Sequence, residues 1–180
     1  EDQRISADVN ELIEQVLPLV SHLARTGGIV IKTELQESLP WISLDPNQIK
    51  QVLLNIINNA FHAMPKGGTL SIKTMIRMHE PNFQTSDVQQ SLNNKFDNKI
   101  GSLPVDSNIN NSGKKMTEWI AIIITDTGEG IPPENIERSF EPFFSTRPSG
   151  KGTGLGLSVS YGIISSHNGF IDVDSQPNKG

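Results

Sequence analysis

The sequence predicts an α/β two-layer sandwich, with a mixed sheet of about five strands and three helices, at 6–26, 46–64 and 155–166, on one face of it. Three observations lead there. Stretches with helical spacing of apolar residues alternate with short runs of alternating or β-branched character. The most strand-like run, Glu118–Thr125 (EWIAIIIT), is near-continuously apolar and reads as a central strand. A chain of 180 residues is the length of one domain.

Element by element, Ile13, Val16, Leu17 and Val20 recur at helical spacing, and Gly27-Gly28 ends that pattern. Gly28–Leu35 alternates like a strand, and Trp41–Leu44 is a shorter one. Asp45-Pro46 is a helix start, an acceptor at the N-cap and a proline where no N–H is needed. Ile49, Val52, Leu53, Ile56, Ala60, Ala63 and Met64 then form an apolar stripe, which stops before Lys66-Gly67-Gly68. Thr69–Met78 alternates again. From His79 to Thr117 the chain turns polar, with seven Asn in 39 residues and no sustained period. It reads as an insertion at about 79–117, largely without structure of its own. The alternative is a long hairpin extension in which Phe83, Val88, Leu92, Phe96 and Ile100 cover the sheet edge. After the central strand comes a Gly/Pro-rich stretch, 126–156, interrupted by a short helical pattern at 133–140. The last helix is closed by His167-Asn168-Gly169, and Phe170–Asp174 reads as a final strand.

Composition narrows the classes. The formal charge is −5, the pI about 5.3, and no Lys/Arg-rich run occurs, which speaks against a non-specific nucleic-acid binder. Cysteine is absent, so disulfides, zinc–thiolate sites and thiol catalysis are excluded. No apolar run approaches the ~20 residues that span a bilayer, and no signal-peptide pattern opens the chain. The expectation is a soluble, cytoplasmic domain with a modest core, since only 35% of residues are apolar.

Three patterns carry chemistry. Asn55, Asn59 and His62 stand at i, i+4 and i+7 of a helix, within roughly 60° of one another. A ridge of amides beside an apolar stripe is either a solvated face or a site. A carboxamide can ligate a hard cation through oxygen while its NH2 faces a phosphate. Asp126-Thr127-Gly128-Glu129-Gly130-Ile131 puts a carboxylate at a strand end, followed by two alternate glycines that let backbone approach a flat ligand. Alone, such an acidic-glycine turn is common. Gly152-Thr153-Gly154-Leu155-Gly156 opens the last helix, offering N–H groups and a positive dipole end to phosphate. It fits neither the P-loop nor the dinucleotide fingerprint, for no Gly-Lys-Ser/Thr closes it and no βαβ unit surrounds it.

Taken together and in this order, the patterns resemble the ATP-binding catalytic domain of bacterial sensor histidine kinases, in the superfamily shared with type II topoisomerases, Hsp90 chaperones and mismatch-repair ATPases. The resemblance spans nearly all of 6–175 outside the insertion. NIINNAFHAM at 55–64 is similar to the N box, and Asp126–Gly130 to the first glycine box. Phe140–Phe144 is similar to the phenylalanine box and Gly152–Gly156 to the second glycine box. The resemblance implies a Bergerat ATP-binding fold, with a mainly antiparallel sheet, spanning 1–180 as one domain. It implies ATP and Mg2+ as cofactors, with Asn59 on the metal and Asn55 and His62 beside the triphosphate. Asp126 would accept a hydrogen bond from the adenine 6-amino group, with Gly128, Gly130 and Ile131 lining the base. Gly152, Thr153, Gly154, Leu155 and Gly156 would hold phosphates. A lid at about 132–153 would bring Arg147 and Lys151 over them, anchored by Phe140, Phe143 and Phe144.

The same resemblance frames the activity. In the topoisomerase and chaperone branch a Glu four residues before the metal-binding Asn polarises water. Here that position is Asn55, which cannot accept a proton near neutral pH. Phosphoryl transfer is therefore expected, with the γ-phosphate going to a histidine on a separate dimerisation domain that precedes residue 1; no catalytic residue is assigned within the chain. The alternatives are a non-catalytic nucleotide-sensing domain and an anti-sigma-factor-type serine kinase. The expected partners are that helical domain and, downstream, a response-regulator receiver domain, with no nucleic acid. The whole kinase is expected to be a homodimer, free or membrane-anchored, and this piece, trimmed at both ends, a monomer.

Overall fold

Residues 3–79, 102–104, 117–145, 153–177 and 179–180 are described by the computed structural model. Two capped helices begin the frame. In α1 (Val9–Thr26) the Asp8 side chain caps the first turn, accepting the Asn10 N–H at 2.8 Å. In α2 (Pro46–Ala63) Asp45 Oδ1 accepts the N–H groups of Asn47 and Gln48 at 2.9 and 3.2 Å, with Pro46 in the first turn. The apolar stripes of both helices, including Ile13, Val16, Ile49, Leu53 and Ile57, are buried.

Strands β1 (Ile5–Ala7) and β3 (Ile42–Leu44) pair antiparallel as a small ribbon. The main sheet has the order β2-β4-β6-β5, from β2 (Ile29–Glu34), β4 (Gly68–His79), β5 (Ser102–Pro104) and β6 (Thr117–Asp126). β2 runs parallel to β4, as a crossover through α2 permits; the other two pairings are antiparallel. The β4–β6 register sets Ile72 opposite Ile124 and Thr74 opposite Ile122, giving one face of buried side chains. The Thr74 hydroxyl, buried there, donates to Asn10 Oδ1 and accepts from the Gln36 N–H, both at 2.9 Å. α2 crosses this face between α1 and α4 (Gly156–Ser166). A short α3 (Pro133–Ile136) and a 3-10 turn (Glu137–Phe140) lie between β6 and α4.

This is the mixed, mainly antiparallel sandwich that was expected, with differences in detail. The first helix starts at Val9 rather than 6, because residues 5–7 are drawn into the ribbon with β3 and Asp8 becomes the cap. Residues 102–104, inside the stretch read as a structureless insertion, form the edge strand β5 on β6. The five hydrophobic residues of the alternative hairpin lie outside the described residues. Phe170–Asp174 is not a ladder strand: Phe170 makes an isolated bridge, and 171–176 continue without strand pairing. Ile171 still reaches the core and Phe170 packs edge-on against Trp119, with ring centroids 5.5 Å apart. Alternation there reports burial on one side rather than pairing.

Candidate functional site

The two amides of the ridge on α2 face α4 and are half-buried, while His62 is exposed. Asn55 is half-buried, and its NH2 group donates to the Gly156 carbonyl at 3.2 Å and reaches Ser160 Oγ at 3.4 Å. The buried Ser160 hydroxyl in turn donates to the same carbonyl at 2.8 Å. These bonds commit the Asn55 NH2 to α4 and leave its oxygen for another partner. One turn on, a side chain grown from Gly156 would come within 3.7 Å of Asn59 Nδ2, so the second amide lies beside the same helix start. His62 closes the ridge. Its Nδ1 bonds the Asn58 carbonyl, which only accepts, so Nδ1 carries the proton and Nε2 remains for other contacts.

At the far end of the site β6 delivers Asp126. Oδ1 of Asp126 accepts the Gly128 N–H at 2.8 Å. Burial raises its carboxyl above the usual carboxylate range, and the Gly128 bond partly offsets this. Gly128 itself is buried against the end of α2. A Cβ there would fall 2.6 Å from the Ala63 carbonyl oxygen, which also accepts the Glu129 N–H at 2.9 Å. The glycine is needed for helix–turn packing, and this is why it does not line the cavity as expected. Farther along, Ile131 N–H donates to Ser175 Oγ at 2.8 Å, fastening the C-terminal stretch alongside.

The phenylalanine box is fastened to the approach to α4. Phe143 N–H donates to the Gly154 carbonyl at 2.9 Å, and both residues hold left-handed backbone, φ +67° and +65°. The Phe143 backbone occupies the space that a side chain at 154 would need, so Gly154 is required twice over, for conformation and for room. Phe140 packs on Tyr161 with ring centroids 5.8 Å apart, and the Arg138 guanidinium stands 4.4 Å from the Phe144 ring centre.

These parts enclose a cavity of about 610 Å3, within the range of small-molecule sites. From α2 come Asn55, Asn59 and His62. β6 and its turn give Asp126, Gly130 and Ile131, and the approach to α4 gives Thr153, Gly154 and Gly156. Leu155 is not in the lining; it precedes the first turn of α4 and accepts the Val159 N–H at 2.9 Å. Arg147, Lys151 and Gly152 lie outside the described residues. Asn58, Glu129, Ser139 and the 173–175 stretch line the cavity without having been singled out. Asn58 adjoins the ridge in sequence and could have been read with it. Val173 and Asp174 could not, because reading them as strand residues carries no information about a wall, and Ser175 just follows that run. Ile131, Leu157 and Val173 give the cavity apolar lining, and α2 gives it amides and an imidazole. Among the described residues no cluster of three or more His, Asp or Glu could hold a metal unaided. The donor set suits a hard cation that takes an amide oxygen from the protein and its remaining ligands from phosphate and water.

Comparison with known proteins agrees with this geometry. The family described as histidine kinase-, DNA gyrase B- and HSP90-like ATPase matches residues 44–180. Sporulation kinase A of Bacillus subtilis is 33% identical over 173 residues, 96% of this chain and 22% of that protein. Sensor kinase CckA of Brucella abortus is 34% identical over 180 residues, 99% of this chain and 16% of that protein. The chain therefore spans about a fifth of the length of these curated relatives. Among solved structures, the catalytic domain of histidine kinase ThkA superposes with a TM-score of 0.61, covering 99% of each chain at 24% identity. That likeness establishes the fold.

Proposed function

Because the chain belongs to the histidine kinase-, DNA gyrase B- and HSP90-like ATPase family, we propose that its cavity binds Mg-ATP for phosphoryl transfer to a histidine on a separate helical domain, in two-component signalling. Its relatives include named sensor kinases, and ATP binding is the common property of the family. The observation that carries the reading is the opposition of two elements across one cavity. The amide ridge of α2 faces the glycine-bearing start of α4 at one end, and a half-buried carboxylate stands at the other.

In this reading Asp126 selects the base. Its Oδ1 is held by Gly128, so Oδ2 accepts from the adenine 6-amino group, where guanine would present a carbonyl and be repelled. Gly130 and Ile131 lie against the ring. The N–H groups at the start of α4 receive phosphate oxygens, assisted by the helix dipole. Asn59 offers the amide oxygen for Mg2+, and Asn55, whose NH2 is committed to Gly156 and Ser160, has its oxygen as the atom to offer the triphosphate. When bound, Mg2+ neutralises charge that develops on the phosphates. The incoming histidine nitrogen forms a bond to the γ-phosphorus as the bond to the β–γ bridging oxygen breaks, and ADP leaves. Where a water-polarising Glu would stand in the ATPase branch this chain has Asn55, and neither it nor Asn59 titrates. That favours transfer over hydrolysis. Arg147 and Lys151 are the cations proposed to cover the phosphates from a lid at about 132–153.

Calorimetry with Mg-ATP tests the site, and addition of a phosphoacceptor domain from a sensor kinase tests the transfer. Binding that is lost in Asn59→Ala and Asp126→Ala, with acid-labile phosphate appearing only when that domain is present, is the expected result. Tight ATP binding by both variants would overturn the site. Phosphate released to water as fast without the domain as with it would overturn the transfer.

A further inference from the structure

His167 lies at the opposite end of α4 from the phosphate-facing start, about 16 Å away along its eleven residues. It is 5% exposed, and both ring nitrogens are engaged. Nδ1 stands 2.8 Å from the Ile163 carbonyl, and Nε2 accepts the Asp45 N–H at 3.0 Å. A carbonyl only accepts and a backbone N–H only donates, so the geometry sets the ring as the neutral tautomer with its proton on Nδ1. Asp45 is the N-cap of α2 and His167 the C-cap of α4. The imidazole thus joins the cap of one helix to the last turn of the other. The two helices are antiparallel, and Asn55 joins them again at Gly156 and Ser160.

We propose that His167 is a positioning residue for the phosphate end of the nucleotide site: by fixing how far α4 slides along α2, it sets the start of α4 opposite Asn55 and Asn59. A helix transmits a shift at one end to the other almost undiminished, while the Asn55 bonds, at 3.2 and 3.4 Å, are long and tolerate sliding. The His167 bonds, at 2.8 and 3.0 Å, are shorter and hold a buried backbone N–H. Asp126 belongs to β6, and its carboxylate is held by the Gly128 N–H in its own turn, so its position is set by bonds other than those of this joint. The inference rests on reading the cavity as an ATP site.

The test compares His167→Leu and His167→Gln with the wild-type 180-residue chain. Leu fills the space without either bond; Gln can offer a donor to Ile163 and an acceptor to Asp45. Affinities for Mg-ATP and for adenosine, which lacks phosphate, are measured together with the thermal midpoint. The expected result for Leu is a loss of about tenfold in ATP affinity with adenosine affinity unchanged, and recovery of ATP affinity in Gln. A Leu variant that melts earlier yet binds ATP like the wild type would show a purely structural role and overturn the proposal. So would equal losses for ATP and adenosine, or a Gln variant no better than Leu. Should the Leu variant fail to fold, His167→Asn, too short to serve both partners, is read by the same criteria. A wild-type chain that binds no ATP overturns the functional reading and this inference with it; intact wild-type binding with an unaffected variant overturns this inference alone.

Discussion

In Asp126→Asn the Gly128 N–H keeps its acceptor, since a carboxamide oxygen can stand where Oδ1 stands, 2.8 Å from that nitrogen. The other oxygen becomes an NH2 group. In the proposed pose that atom meets the adenine 6-amino group, so donor faces donor. A hydrogen bond to a charged acceptor is lost, about 1.5–3 kcal/mol, and a donor is left unpaired, about 1–3 kcal/mol more. ATP affinity should fall by roughly 10²–10⁴-fold, at about 1.4 kcal/mol per decade. Inosine triphosphate presents a carbonyl at the same ring position and should now be preferred over ATP, reversing the wild-type order.

A second effect has the opposite sign. Burial holds the Asp126 carboxyl above its ordinary range, so the folded state binds its proton more readily than the unfolded state does. The stability this group contributes is present at low pH and lost as pH rises through the folded-state titration, leaving an ionised, partly desolvated charge at neutral pH. Without nucleotide, Asp126→Asn should melt slightly higher at pH 7, by a few degrees at most once solvent screening is allowed for, and the gap should close on acidification. Calorimetry with ATP and inosine triphosphate reads the first effect and thermal melts across pH the second. ATP affinity within about threefold of wild type would refute the base-recognition argument. A lower midpoint at pH 7 would refute the burial argument.

Three further perturbations address other parts of the molecule. Asn59→Ala should weaken ATP binding about 10–100-fold in Mg2+ and leave adenosine unaffected, with the difference between variant and wild type shrinking when the metal is chelated. Gly154→Ala forces a side chain into left-handed backbone, which costs about 1–2 kcal/mol, and into the Phe143 backbone; the melting temperature should drop by at least about 2–4 °C, and a midpoint equal to wild type would contradict the packing described. Lys73 lies 2.9 Å from Glu34 across β2 and β4 and holds that carboxyl below its usual range. Lys73→Met should therefore move the Glu34 titration upward in carboxyl NMR while leaving the melting temperature almost unchanged, because the pair is solvent-exposed.

What the sequence made legible was whatever is encoded locally. Asp45-Pro46 marks the start of α2 because a cap and a proline act within one turn, and the helix begins there. Asn55, Asn59 and His62 share a face because helical spacing puts them there, and all three line the cavity. What it concealed depends on partners remote in the chain. Residues 5–7 have helical neighbours but are taken into a ribbon by β3, some forty residues away. Gly128 was read as facing a ligand, yet it is glycine because the Ala63 carbonyl lies 2.6 Å from where its side chain would be. Phe170–Asp174 alternates like a strand, but alternation records which side chains are buried and says nothing of whether a neighbouring strand offers hydrogen bonds. His167 shows the same limit from the functional side. A histidine after a helix reads as a cap on the last carbonyls, and it does meet the Ile163 carbonyl. Its second nitrogen receives the Asp45 N–H from 122 residues away, a bond that no local pattern announces. The chemistry of the site is therefore written in short motifs. The relative placement of those motifs is held by single long-range bonds, and it is at such bonds that substitutions outside the motifs should alter nucleotide binding.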